Sequence, residues 1–269
     1  MDDRTVADGE PPEVPLTGGN VGGAVRVGRT VRRAAGPWTP AVHALLKHLQ
    51  AAGLQGVPGV LGLDERAREV LSYLPGRTVD VDAELVADTL LIDAVRWLRR
   101  FHNAVAGYRP DGVVRWRNEA RALAADEIVC HHDPGAYNWI VEGDRFVGVI
   151  DWDMAGPGHP IDDLAFMAWS SVPLFRPIPT PDVARRLELM ATTYGELTAE
   201  QILTHVDVRM SRACDRIQAG QAAGDPGLLN LGRVGEPART RARLALLRER
   251  MSEIGSALSA GRTQPGSAP

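Results

Sequence analysis

The run Cys130-His131-His132-Asp133-Pro134-Gly135-Ala136-Tyr137-Asn138 has the form HxDxxxxN, and thirteen residues after Asn138 stands Asp151, within Ile150-Asp151-Trp152-Asp153. A carboxylate such as Asp133 can accept a hydroxyl proton. The Asn138 amide and the Asp151 carboxylate offer hard oxygens of the kind Mg²⁺ takes. One proton acceptor beside two such oxygens is the set that phosphoryl transfer from a nucleotide requires, a chemistry of positioning and charge stabilisation. Taken singly, Asp133 reads as a turn or cap carboxylate and Asn138 as a turn asparagine; the joint spacing with Asp151 carries the reading. His131 and His132 do not suggest zinc, because adjacent residues rarely aim at one point and no third ligand recurs at metal spacing.

These side chains need an element that brings them together. Trp139-Ile140-Val141 and Phe146–Ile150 predict two strands around a turn at Gly143-Asp144. Asp133 and Asn138 lie on the loop entering this hairpin and Asp151 follows its second strand, so hairpin closure returns Asp151 toward the loop. Asp153 points elsewhere if the chain there is extended, and is expected to be a solvated or hydrogen-bonded carboxylate. Trp152, Phe166 and Trp169 read at least as well as core aromatics as substrate contacts, and Trp97–His102 reads as helix packing.

Upstream, the glycine-dense stretch Leu16–Val31 carries the alternation Val25, Val27, Val31, which predicts two short strands with Gly28-Arg29 near their turn. Thr39 as N-cap and Pro40 as first helical residue introduce a helix with an apolar face of Val42, Leu45, Leu46 and Leu49, ending at Gly53. Val60–Leu63 and Glu69–Leu74 predict the remaining strands, closed by Pro75-Gly76. Beyond Gly76 the periodicity turns helical over Ala83–Ala106 and again from Val183 onward, with Pro173–Pro181 as a stiff connector. Residues 1–15 and 256–269 lack apolar periodicity and are set outside the fold as disordered ends. The expected fold is therefore α+β, with an antiparallel-sheet lobe over 16–76 and a mostly helical lobe over 77–255.

The chain has 269 residues, 44% hydrophobic and 24% charged, which excludes disorder throughout. Thirty-four acidic residues against thirty basic ones remove the electrostatic grip of a nucleic-acid-binding domain. With no apolar run of membrane-spanning length and no signal-peptide order at Met1-Asp2-Asp3-Arg4, no membrane is expected, and the expected location is the cytoplasm. The two cysteines, Cys130 and Cys214, are too few and too distant for a metal or disulfide framework.

From about Leu16 to Trp169, and above all in HHDPGAYN followed by VIDWDMAGPGHPIDDLA, the sequence resembles the aminoglycoside phosphotransferase and choline kinase-like family, which has a bilobal protein-kinase-like fold. The resemblance implies that Asp133 is the catalytic base, that Asn138 and Asp151 bind Mg²⁺, that His131 buttresses the catalytic loop, and that Asp163 braces it from below. It implies further that Gly18, Gly19 and Asn20 fold over the nucleotide phosphates, where glycine leaves backbone N–H groups bare. A basic residue on the third strand holds the α- and β-phosphates in this family. With Val31 facing the cleft, strand alternation selects Arg33 over Arg32. Ser72 and Leu74 fall where main-chain groups read adenine.

The function so implied is ATP-dependent transfer of a γ-phosphoryl group, with Mg²⁺, to a hydroxyl of a small metabolite or antibiotic. Between Ser171 and Pro269 there are thirteen Arg and no Lys against ten Asp and Glu, a balance less suited to a polycationic aminoglycoside than to a neutral or anionic acceptor. The alternative is a degenerate kinase that binds nucleotide or a partner without transfer. It rests on arginine in the lysine position, on the lack of a glutamate in the helix AVHALLKHLQ, and on His132 where the family has glycine. A protein kinase is disfavoured by the short Asp151–Asp163 segment.

Overall fold

The computed structural model describes residues 11–16 and 23–262. Strands β1 (Glu13–Pro15), β2 (Val25–Val27), β3 (Thr30–Ala34), β4 (Val60–Leu63) and β5 (Arg68–Ser72) form one antiparallel sheet in the order β1-β2-β3-β5-β4. Gly28, at φ +58°, makes the tight β2–β3 turn, and the Thr30 hydroxyl closes it on Val27 O at 2.9 Å. Helix α1 (Thr39–Ala51) packs beside the sheet and buries the expected Val42, Leu45, Leu46 and Leu49. Its cap differs from expectation. Trp38 is the capping residue and Thr39 the first helical one, because the Thr39 hydroxyl accepts the N–H of Gly36 at 2.8 Å, outside the helix.

The helical lobe opens with β6 (Arg77–Thr78) and α2 (Asp88–Val105), followed by the short pair β7 (Val114–Arg115) and β8 (Ala120–Arg121). Then come β9 (Ile128–Cys130), the hairpin β10 (Trp139–Glu142) and β11 (Arg145–Val149), and β12 (Gly156–Gly158), which pairs with β9. Helices α3 (Pro160–Ser171), α4 (Thr180–Tyr194), α5 (Ala199–Ala222), α6 (Pro226–Arg233) and α7 (Ala238–Arg262) complete it. Residues 173–179 are irregular, as their prolines require. The core runs from α1 through Trp97, Phe101 and Trp152 to α3–α5. Trp152 sits edge-on to Phe101 at 5.1 Å and against His131 at 4.5 Å, so it is a floor beneath the 131–138 loop.

Both expected ends move outward. Glu13–Pro15 belongs to the sheet as β1, in register with Val27–Val25. The strand is exposed throughout, so it carries no apolar signal, and it is held by backbone pairing and by Glu13 on Arg68 at 2.8 Å. At the other end α7 continues past 255 because Leu258 extends the buried face of Leu247 and Ile254. Gly18, Gly19 and Asn20 lie outside the described residues.

The two lobes also touch away from the chain connection. The loop after α1 lies on β11, where Val149 N–H donates to Gly56 O at 3.0 Å, and the Trp97 indole N–H donates to Gln55 O at 2.8 Å. Gly56, at φ +81°, and Gly148 approach so closely that a Cβ on either would collide with the backbone of the other segment. On α1, His48 Nε2 reaches Ala104 O on α2 at 2.8 Å.

Candidate functional site

The 131–138 loop is fixed by one buried carboxylate. Asp163, in the first turn of α3, accepts the backbone N–H of His131 at 2.8 Å and of His132 at 2.7 Å. His102 on α2 donates to the same carboxylate at 3.1 Å, and its other nitrogen meets the Tyr194 hydroxyl at 2.7 Å. Burial opposes the Asp163 charge, but the His102 hydrogen bond and the surrounding imidazoles hold its carboxyl below the ordinary carboxylate range. His102, Cys130 and Asp163 lie close enough to suggest a metal site. The bonds to two loop amides instead make Asp163 a brace.

His131 lies beneath the loop, fully buried. Its Nδ1 accepts the Asp133 N–H at 3.3 Å and its Nε2 meets Ile150 O at 3.2 Å, so the ring joins the two chain segments that carry Asp133 and Asp151. Burial pushes the imidazole down to about 4. The unfolded chain therefore takes up a proton near pH 6.5 that the folded one refuses, and stability falls as pH drops from about 6.5 toward 4. Between pH 7 and pH 5 this amounts to about 2 kcal/mol. Urea unfolding at both pH values should show that extra loss in the wild type and not in His131→Gln.

Asp133 and Asn138 come together directly. The Asn138 amide donates to Asp133 O at 2.9 Å and to Asp133 Oδ2 at 3.2 Å, while the Tyr137 hydroxyl donates a short bond to Oδ1. Backbone pairing then places the third residue, since Ile150 N–H donates to Asn138 O at 3.0 Å. Asp151 follows at φ +63°, a left-handed conformation unusual outside glycine. Burial and the neighbouring Asp151 charge push the Asp133 carboxyl up to about 7, against the opposing pull of Tyr137, Arg216 and Asn138. Asp133, Asn138 and Asp151 thus converge at one mouth, with Asp151 the most open of them at 44% exposure.

Arg33 reaches the same place from the sheet. Its Nη1 donates to Asp151 Oδ1 at 2.7 Å and its Nη2 to Asp153 Oδ1 at 2.5 Å. Its Nε bonds Glu69, its register partner on β5. Burial works against the Arg33 charge, but Asp153, Asp151 and Glu69 raise its pKa overall. Asp153 is a hydrogen-bonded carboxylate, as expected, but it does not point away from the site, because the chain after Asp151 is not extended. The left-handed turn leads into a 3₁₀ turn at Trp152–Met154, which brings Asp153 back onto Arg33 and onto Arg117 at 3.2 Å.

Glu69 is the functional residue that sequence reasoning passed over. It is 1% exposed and also meets His43 of α1 at 3.1 Å. The carboxylate absent from the helix is thereby supplied by the adjacent strand. A lone glutamate in the run Arg68-Glu69-Val70-Leu71-Ser72, at a buried position of alternation, is the signal that could have found it.

The Ser72–Leu74 segment leaves β5 toward α2. Ser72 N–H is engaged by Gly59 O at 2.8 Å and Tyr73 N–H by Arg29 O at 2.9 Å, so Ser72 can offer a ligand its carbonyl but not its amide. A cavity of about 160 Å³ lies between β12 and α5, with His132, Phe166 and Arg209 among its walls.

Comparison with known proteins bears on the family and the fold. The sequence profile of the phosphotransferase enzyme family matches residues 110–200, which hold the whole 131–163 constellation. The trifolitoxin immunity protein of Rhizobium leguminosarum bv. trifolii is 34% identical over 185 residues, 67% of this chain and 69% of that protein. Among solved structures, an amicoumacin kinase in complex with AMP-PNP and Ca²⁺ superposes with a TM-score of 0.60 at 15% identity, covering 90% of this chain and 88% of the other. A choline kinase from Cryptosporidium parvum Iowa II gives 0.60 at 9% identity, with 95% and 94% covered. The GDP complex of aminoglycoside 2′-phosphotransferase-IIIa gives 0.53 at 13%, with 92% and 94% covered. At such identities the superpositions speak for the two-lobed kinase-like fold, and the immunity protein carries the likeness in sequence. The chain belongs to the aminoglycoside phosphotransferase family of phosphotransferase enzymes.

Proposed function

We propose that this protein transfers the γ-phosphoryl group of ATP to a hydroxyl of a small molecule. The observation that carries the reading is the pairing of a proton-accepting carboxylate, Asp133, with the two oxygen donors Asn138 and Asp151 at one mouth facing Arg33. An acceptor O–H placed against Asp133 gives up its proton as its oxygen bonds the γ-phosphorus and the bond to the β,γ-bridging oxygen breaks, releasing ADP. The short Tyr137 bond marks the Asp133 oxygen as reachable by a hydroxyl, and the acceptor must share or displace it.

The donor set suits Mg²⁺. Asn138 turns its amide nitrogen onto Asp133, which leaves its side-chain oxygen for another partner. The repulsion that Asp151 exerts on Asp133 is a charge imbalance that a cation relieves. When bound, Mg²⁺ would neutralise charge on the phosphates. Arg33, held by Glu69, is the residue for the α- and β-phosphates, and the Ser72 carbonyl with Leu74 is the place for adenine. Gly18, Gly19 and Asn20 remain assigned to the phosphates on resemblance alone.

Two resemblances support an antibiotic or related natural product as acceptor: the immunity protein by its name, and the amicoumacin kinase by the compound it is named for and holds. The rival, nucleotide binding without transfer, has one observation in its favour, the Arg33 fork clasping Asp151 and Asp153. An ADP-release screen across hydroxyl compounds with Mg-ATP separates the two. A hit whose rate falls at least a hundredfold in Asp151→Asn supports transfer, a loss of the size expected when a charge-stabilising group is removed. Mg-ATP binding without turnover on any acceptor favours the rival.

A further inference from the structure

We propose that the acceptor is anionic: a hydroxyl compound whose carboxylate or phosphate seats in the arginine-lined cavity beside the 131–138 loop. This inference rests on the phosphotransfer reading. Arg209, Arg212 and Arg216 recur at i, i+3 and i+7 on α5, one face of the helix, and all three line that cavity. The acid on the same wall, Glu119, is engaged by Arg121 at 2.6 Å. Asp162, behind the wall, divides its charge among His205 at 3.1 Å, Arg212 at 3.6 Å and Arg209 at 4.0 Å, and also caps α3 through His159 N–H. The arginines therefore exceed the carboxylates that face them.

Two of the arginines have capacity left over. Arg209 donates to His132 O at 3.0 Å and lies over the Phe166 ring, yet its Nε is buried with no hydrogen-bond partner among the described residues. Arg216 makes a single side-chain hydrogen bond there, to the sulfur of Met154 at 3.3 Å, a weak acceptor. Burial lowers the Arg216 pKa while the Asp133 charge supports it, which places this guanidinium within electrostatic reach of the proposed base. A half-buried guanidinium with no carboxylate in ion-pair contact among the described residues, as at Arg216, is a site for a planar or tetrahedral oxyanion. Because His132, the residue before Asp133, lines the same cavity, an anion held there would leave the rest of the acceptor beside the 131–138 loop.

Size and walls agree. A cavity of about 160 Å³ is close to the volume that admits one benzene-sized group. It therefore takes the acid-bearing end of a molecule rather than a whole polycyclic one. Trp116 and Phe166 supply apolar faces beside the cations. A polyamine placed here would meet three like charges, which costs affinity and slows encounter.

The test is calorimetric binding to the full chain of compound sets in which each hydroxylated scaffold is present as carboxylic acid, phosphomonoester, neutral amide and amine. ADP release from Mg-ATP is followed in parallel. We expect acid or phosphoester members to bind at least tenfold more tightly than the amide and amine of the same scaffold. The acid and phosphoester arms decide which oxyanion is preferred. Arg216→Gln should abolish the discrimination and Arg216→Lys should retain most of it. Exposed Arg212→Gln, which leaves the buried packing intact, should weaken acid binding about threefold. Amides or amines binding as well as acids in every scaffold, or discrimination surviving Arg216→Gln, overturns the inference while ADP release with those acceptors leaves phosphotransfer standing. Acid-selective binding without ADP release from any acceptor leaves the oxyanion site standing and overturns phosphotransfer, and with it the site's role in holding an acceptor.

Discussion

Asp133→Asn should lower turnover by about a thousandfold while leaving Mg-ATP affinity within a few-fold of wild type. The magnitude is that of a positioned general base. The affinity should hold because Asp133 faces Tyr137 and Asn138 rather than Arg33. The same carboxyl should set the acid limb of the pH profile. With its pKa pushed up to about 7, it is protonated and unable to accept a proton below that point, so kcat/KM should rise with unit slope up to about pH 7 and then level. Asp151→Asn removes the neighbouring charge that contributes to the upward shift, so in acid-limb measurements on that variant the break should move to lower pH. Initial rates between pH 5 and 9 test both statements. Near-native turnover in the Asp133→Asn variant would remove Asp133 from the reaction.

The largest stability effect is expected at Glu69. This carboxylate is buried in the sheet and engaged by Arg33 and His43, so Glu69→Gln leaves a guanidinium with one missing counter-charge inside the lobe. Breaking a buried pair from one side costs about 3–5 kcal/mol, and the two aspartates still on Arg33 favour the lower end, about 3 kcal/mol. For a chain of this size that corresponds to a fall of roughly 6–10 °C in Tm. Function should suffer as well. Without Glu69 the Arg33 fork is held only by Asp151 and Asp153, which draws it away from the phosphates, and KM for ATP should rise about tenfold. Thermal melts and a nucleotide titration measure the two effects. Unchanged values for both would show that Glu69 merely fills space.

Much of this site was legible because its parts are local in sequence. The loop and the hairpin that follow one another from His131 to Asp151 needed only turn chemistry and strand alternation to be brought together. Arg33 followed from the resemblance, which implies a basic residue on the third strand, with alternation along that strand choosing it over Arg32. Glu69 did not, because its partner is fixed by the β3–β5 register, a non-local pairing that no single strand encodes. The direction of Asp153, though not its hydrogen-bonded role, escaped the sequence because the left-handed Asp151 reverses the course of an extended chain, and no glycine announces that turn. The edge strand Glu13–Pro15 lacked an apolar face to betray it, and Thr39 was assigned a capping role by residue type when its hydroxyl bonds the preceding turn. The arginines of α5 were visible as a regional surplus of charge. Their alignment along one wall required the helix to be docked against β12 and α3.

The seam formed by Gly56, Gly148, Trp97 and His48 limits how the molecule can breathe. With α1 and the loop after it riveted to the β10–β11 hairpin and to α2, the small lobe cannot hinge away as one rigid shell. On the sheet, Arg33 of β3 adds a second tether through Asp151 and Asp153, so the small lobe is pinned to the large one at both the helix and the sheet. Any opening that carries β3 away from the Asp133 loop must first break those two ion pairs, which makes Arg33 a latch between the lobes.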